Sequence, residues 1–282
     1  MKCAWQAYLN LLPHWLRWEV DQHGKETLEE LHMRAGLNPI MSLGSVNRKI
    51  NRLVSYDDIA FVINAASEYS PWAAQTLSKG YLTGQGGHRI GVCGVATIVG
   101  GSMRGIASPT SLCLRVARDL TGISAKAADI GDSLLVIGPP GSGKTTLLRD
   151  LIRTKSNLGQ GNISVVDERE EVFPLHKGQA CFYAGEHTDI LSGCSKAEGI
   201  EAVLRSMNPS WIAVDEITGK EDADALLQAG WCGVKLMATA HAGSVQDLLT
   251  RPTYKHLVDY KLFSTVLVLR RDKSWKLERM YL

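Results

Sequence analysis

The pattern of apolar and polar positions changes character near residue 130. Before it, short patterned segments are separated by glycine-rich turns. Glu29–Arg34 and Ile40–Leu43 read as strands around Gly36 and Pro39. Ser55 precedes a helical pattern from about Tyr56 to Glu68, with Ile59, Val62 and Ile63 on one face. Ser70-Pro71 predicts a second helix that stops at Gly80, with proline inside the start and glycine past the end. Arg89–Ile98 reads as a strand, Gly100-Gly101 as a tight turn, and Ser102–Ala107 as the return. Leu112–Ala117 predicts one more strand. These elements suit a small α+β domain over residues 1–128.

After residue 130 the apolar segments become short uninterrupted runs: Ser133–Ile137, Ile163–Val166, Trp211–Val214, Lys235–Thr239 and Ser264–Leu269. Strands buried on both faces of a parallel sheet read this way. Helical patterns lie between them, so residues 129–282 are expected to form an α/β domain around a mostly parallel sheet. Three of the runs lead into Gly138, Asp167 and Asp215, and a fourth leads into His241. In open α/β sheets ligands bind beyond the carboxyl ends of the strands, so four reactive segments converge on one expected site.

Composition narrows this picture without redirecting it. Hydrophobic residues make up 45% and charged residues 21% of the 282 positions, the balance of a globular protein with a sizeable core. A formal net charge of +2, with no basic run, gives no reason to expect nucleic acid as a partner. The six cysteines are scattered without CxxC spacing, and no histidine pair completes a zinc pattern, so reduced thiols in a cytoplasmic setting are expected. No apolar run approaches the roughly 20 residues of a membrane-spanning helix. Trp5, Tyr8, Leu9, Leu11 and Leu12 are interrupted by Pro13 and His14, which does not read as a secretory signal.

The chemistry begins at Gly138-Pro139-Pro140-Gly141-Ser142-Gly143-Lys144-Thr145, which fits GxxxxGK[ST]. An apolar strand precedes it. A helix with Leu147, Leu148, Leu151 and Ile152 on one face follows, and the nucleotide-binding segment is expected to run on to Thr146. Glycines let backbone N–H groups curl around phosphate oxygens, and the helix N-terminus adds partial positive charge. Lys144 is expected to neutralise the β/γ oxygens and the Thr145 hydroxyl to ligate Mg²⁺ of a bound ATP. Asp215 would hold the same Mg²⁺, directly or through water, and Glu216 would polarise the attacking water. Asp167 or Glu168 could face the γ-phosphate, while Arg169 could equally pair with them and fix the loop. His241 is placed to sense the γ-phosphate.

Several segments together resemble the stage III sporulation protein AA family, ATPases of endospore-forming bacteria. The resemblance rests on Leu28–Arg34, Ser67–Ser70, Gly80–Thr83 and Gly86–Gly94 in the first part. In the second it rests on the phosphate loop, Val166–Arg169, Lys196–Gly199, Arg205–Pro209 leading to Asp215-Glu216, and Thr239–His241. That family is similar in turn to the hexameric ATPases of type II and type IV secretion. The resemblance implies a RecA-like P-loop core behind an N-terminal domain, working as a homo-oligomeric ring. It also implies membrane-embedded partners in a channel between mother cell and forespore, with the chain on the mother-cell side. An arginine reaching a γ-phosphate in such a ring would come from among Arg89, Arg104, Arg115 and Arg205. The alternative is an ABC-type nucleotide-binding domain driving membrane transport, with Leu191-Ser192-Gly193 as its signature. Against it, Cys194-Ser195 follows where Gly-Gln is required, and Ile217 stands two residues beyond Asp215.

Overall fold

The structure is a computed structural model that describes residues 2–68 and 80–280. The helix expected from Ser70 lies outside the described residues except at its terminal Gly80. The chain divides into two compact units. One holds the residues up to Asp119 together with Pro174–Phe182, and the other holds Leu120–Phe173 and Tyr183 onward.

The first unit opens with helices α1 (Trp5–Asn10) and α2 (His14–Gly24), the second starting directly after Pro13. Their apolar residues Trp5, Tyr8, Leu9, Leu12, Leu16 and Val20 are buried. The N-terminal apolar cluster is therefore core. These helices cover a six-stranded antiparallel sheet built from β1 (Leu28–Arg34), β2 (Ile40–Leu43), β3 (Val46–Lys49), β4 (Tyr81–Thr83), β5 (Arg89–Val99) and β6 (Ser102–Arg115). The strand order is β3-β2-β1-β6-β5-β4. Helix α3 (Tyr56–Ser67) starts at Ser55 with a capping box: the Ser55 hydroxyl accepts from the Asp58 N–H, and the Asp58 carboxylate accepts from the Ser55 N–H.

Ser102–Ala107 and Leu112–Ala117 are not two strands; Ser102–Arg115 is one. Pro109 breaks the apolar pattern, but register shifts along β5–β6 absorb it. Gly94 pairs with Pro109, and a Cβ on Gly94 would stand 2.0 Å from the Ser108 carbonyl oxygen, so only glycine fits.

The second unit is a seven-stranded sheet of β7 (Leu134–Ile137), β8 (Ile163–Asp167), β11 (Thr188–Ser192), β12 (Trp211–Val214), β13 (Lys235–Ala240), β14 (Thr265–Leu269) and β15 (Trp275–Arg279). Its order is β11-β8-β12-β13-β7-β14-β15, parallel throughout except for the antiparallel edge strand β15. Helices α4 (Lys144–Asn157), α5 (Lys196–Ser206), α6 (Lys220–Trp231), α7 (Val245–Thr250) and α8 (Lys255–Asp259) connect the strands. All residues of β7, β8, β12 and β14 are buried, the two-faced burial that their unbroken apolar runs imply. The short hairpin β9 (Leu175–His176) and β10 (Gln179–Ala180) lies in the excursion Pro174–Phe182, which leaves the second unit after Phe173 and returns at Tyr183. Within the first unit it packs beside Gly87, whose position a Cβ would crowd against Cys181 at 3.2 Å.

Candidate nucleotide site

Strand β7 delivers the chain into Gly138–Gly143, and α4 begins at Lys144. The loop turns tightly because Gly141 and Gly143 adopt φ of +74° and +96°, a region costly for residues with a Cβ. Gly138 is required for another reason: a Cβ there would stand 2.7 Å from Ser142 Oγ and 3.0 Å from the Leu269 carbonyl oxygen. No side chain caps the N-terminus of α4, so its first backbone donors remain available to an anion. The buried Ser142 hydroxyl has no hydrogen-bond partner, a polar group awaiting a ligand in a loop of this shape.

The side chains expected to act on the nucleotide converge on this loop. The Lys144 ammonium is mostly buried and donates to the Gly138 and Pro139 carbonyls, each at 3.1 Å, and to His241 Nδ1 at 3.1 Å. Burial lowers its pKa, and the carboxylates of Asp215 and Glu216 oppose that shift. The Thr145 hydroxyl donates to Asp215 Oδ2 at 2.6 Å. Thr239 Oγ1 donates to Asp215 Oδ1 at 2.5 Å and accepts from the Glu216 N–H at 2.8 Å. Glu216 sits at φ +53°, just past β12, and its carboxylate lies between Arg169 Nη1 and His241 Nε2, each at 3.2 Å. The His241 ring thus stands between the Lys144 ammonium at Nδ1 and the Glu216 carboxylate at Nε2.

Thr145 and Asp215 offer a hydroxyl and a carboxylate side by side, hard oxygen donors of the kind Mg²⁺ prefers when a triphosphate completes its shell. Glu168 and Asp167 are used differently from one another. Asp167 is buried, and its oxygens accept from the N–H groups of Glu171, Val172 and Phe173 at 3.0, 3.0 and 2.8 Å. Burial raises its pKa to about 6 against the pull of those donors. Arg149 grips the same turn from α4, donating to the carbonyls of Val172 and Glu171. Glu168 Oε2 accepts from Lys196 Nζ at 2.7 Å, and this nearly buried lysine also stands 3.6 Å from Asp222. Pro139, Pro140 and Thr146 complete the loop and the first helical turn, the Pro139 carbonyl accepting from Lys144.

Three further side chains take part in the cluster. Thr239 is a buried polar residue in an apolar strand, marked in the sequence besides that only by its place in the Thr239–His241 resemblance. Arg169, for which the sequence suggests pairing with Asp167 or Glu168, pairs with Glu216. Lys196 belongs to a segment singled out only by resemblance. The arginines named for a γ-phosphate have local partners: Arg89 stacks on the Tyr81 ring at 4.1 Å, Arg115 pairs with Glu30 at 2.9 Å, and Arg205 pairs with Glu201. Arg104 is exposed beside the β5–β6 turn. Leu191 and Ser192 close strand β11, with Gly193 after them.

Solved structures share this architecture. The Legionella pneumophila ATPase DotB aligns at a TM-score of 0.57 and 17% identity, over 95% of this chain and 80% of its own. The pilus retraction motor PilT with bound ADP aligns at 0.60 and 17% identity, over 94% and 82%. The fold is therefore the RecA-like α/β fold of the secretion ATPases, accompanied by an N-terminal antiparallel-sheet unit. Sequence narrows the class. Residues 8–280 match the family described as Sporulation stage III, protein AA. Stage III sporulation protein AA of Bacillus subtilis (strain 168) is 37% identical over 228 residues, covering 77% of this chain and 74% of that protein. The chain belongs to the stage III sporulation protein AA family.

Proposed function

We propose that this chain binds ATP–Mg²⁺ at Gly138–Thr146 and hydrolyses it as the motor of a sporulation channel or secretion-like complex. The observation that carries the reading is the direct hydrogen-bonded convergence of Lys144, Thr145, Asp215, Glu216 and His241 beyond the ends of β7, β12 and β13. Triphosphate oxygens would take the Lys144 ammonium from the loop carbonyls and from His241. Thr145 and Asp215 would hold the magnesium ion, which would supply Lewis-acid stabilisation of the phosphate charge. His241, relieved of Lys144, would report the γ-phosphate to Glu216, and Glu216, released from Arg169, would orient the attacking water. In this reading the chain works as a ring of identical subunits, with membrane-embedded partners on the mother-cell side of the engulfed forespore; membership of the sporulation family supports it. No helix among the described residues is long and apolar enough to cross a membrane, in keeping with recruitment through partners.

The decisive assay is phosphate release by the purified chain. Wild type should hydrolyse ATP in a Mg²⁺-dependent way. Glu216→Gln should bind nucleotide normally while its turnover falls by roughly a hundredfold or more. Wild-type rates in Glu216→Gln would refute the assignment of the water-activating group.

A further inference from the structure

The sheet of the first unit brings together three metal-ligating side chains that are far apart in sequence. Glu30 and His32 alternate with the buried Leu31 and Met33 on β1, so both project from the face opposite the core. The β1–β6 register pairs His32 with Cys113 and Glu30 with Arg115, which places Cys113 on that same face between the buried Leu112 and Leu114. On the far side of β6, Gly91 is the partner of Cys113, so no side chain stands beside the thiol there. The result is a partly buried Glu-His-Cys cluster whose ligand atoms all lie within 4.8 Å of one another.

We propose that Glu30, His32 and Cys113 form a zinc site, with a fourth position open to water or to a donor from a ligand. His32 Nε2 is 3.2 Å from Glu30 Oε2 and 3.8 Å from Cys113 Sγ. Zinc bonds of about 2.0–2.3 Å at tetrahedral angles set neighbouring ligand atoms roughly 3.3–3.6 Å apart, so the cluster needs only small side-chain adjustments to close on an ion. The mixed sulfur, nitrogen and oxygen set suits zinc better than magnesium or calcium, which take oxygen alone. Arg115 Nε donates to the other carboxylate oxygen, Glu30 Oε1, at 2.9 Å. That contact orients the carboxylate and leaves Oε2 facing the imidazole, the part an outer partner plays around a metal ligand. On binding, the Cys113 thiol gives its proton to solvent as the sulfur–metal bond forms. None of these residues belongs to the nucleotide site, so the proposal stands or falls independently of ATP hydrolysis.

The test is titration of the chelator-treated, reduced, full chain with Co²⁺ in the absence of nucleotide. One equivalent should produce the near-ultraviolet thiolate-to-metal absorption and the visible bands of a four-coordinate ion, and Zn²⁺ should abolish both. The nucleotide site, whose donors lack sulfur, cannot give the thiolate band. Cys113→Ser should eliminate that band, and His32→Asn should weaken Co²⁺ binding by roughly a hundredfold or more. Cys93→Ser, which removes an exposed thiol of β5, should leave the spectrum unchanged. Circular dichroism identifies variants that have folded, and His32→Asn carries the test if Cys113→Ser has not. Absence of the thiolate band in wild type would overturn the site, as would its persistence in folded Cys113→Ser. The cluster would then be only a cross-strand ion pair beside a thiol.

Discussion

At the scale of single residues, the candidate nucleotide site is held by contacts that a bound ATP would have to exchange for its own. Lys144 has its donors committed to two carbonyls and an imidazole. Lys144→Ala should leave the fold intact and reduce nucleotide binding or turnover to near background, read by fluorescent-nucleotide titration and phosphate release. Thr239 is subtler. Its hydroxyl fixes Asp215 and the Glu216 backbone together, and it is fully buried. Thr239→Val keeps the shape but strands the Glu216 N–H, a loss of about 1–3 kcal/mol. Turnover should drop about tenfold or more while affinity for nucleotide changes little; an unchanged rate would mean that Thr239 does not position the pair. The convergence of Lys144, Thr145, Asp215 and His241 is legible in sequence because each follows the end of a short apolar run, and the runs stand side by side in one parallel sheet. The parts played by Thr239, Arg169 and Lys196 are not, because their roles exist only after strands far apart in sequence have been placed side by side.

At the scale of elements, the segment Gly86–Gly94 stood out by resemblance without an evident task, and the structure supplies a physical one. His88 is fully buried; its Nδ1 accepts from the Ala117 N–H and its Nε2 donates to the Ala4 carbonyl. A Cβ on the adjacent Gly86 would collide with Ala4 at 2.4 Å. The segment thus binds the N-terminus of α1 to the end of the sheet through a neutral imidazole. Burial holds the His88 pKa at about 4, below its ordinary 6.5. The unfolded chain therefore binds the proton more readily, and stability present above pH 6.5 is lost as pH falls toward 4. The shift corresponds to roughly 3 kcal/mol. Wild type should lose up to about that much more stability than His88→Gln between pH 7.5 and pH 4.5, measured by urea denaturation at each pH. Equal losses in the two proteins would show that His88 is not the source. The β5–β6 ribbon illustrates the limit of pattern reading: Pro109 argues against a strand, and only its partner Gly94 makes one possible.

For the whole molecule, the parallel sheet was readable because strands buried on both faces must be uniformly apolar. The antiparallel edge strand β15 and the amphipathic β11 carry no such signature. Assembly is the prediction that belongs at this scale. Glu216→Gln protein with Mg²⁺–ATP should sediment as a six-subunit species. A nucleotide-dependent dimer would instead favour an ABC-type arrangement and send mutagenesis to Leu191–Ser195. The division of the chain bears on how such experiments are designed. Because Pro174–Phe182 belongs to the first unit while the sequences on both sides of it belong to the second, the polypeptide passes between the units three times rather than once. A single cut after Asp119 does not yield two self-sufficient fragments, since the downstream piece carries away part of the upstream one. Gene truncations, limited digests and fusion boundaries placed there should give poorly behaved pieces. The same triple crossing puts the turn held by Asp167, which ends at Phe173, directly at one of the places where the backbone passes from one unit to the other.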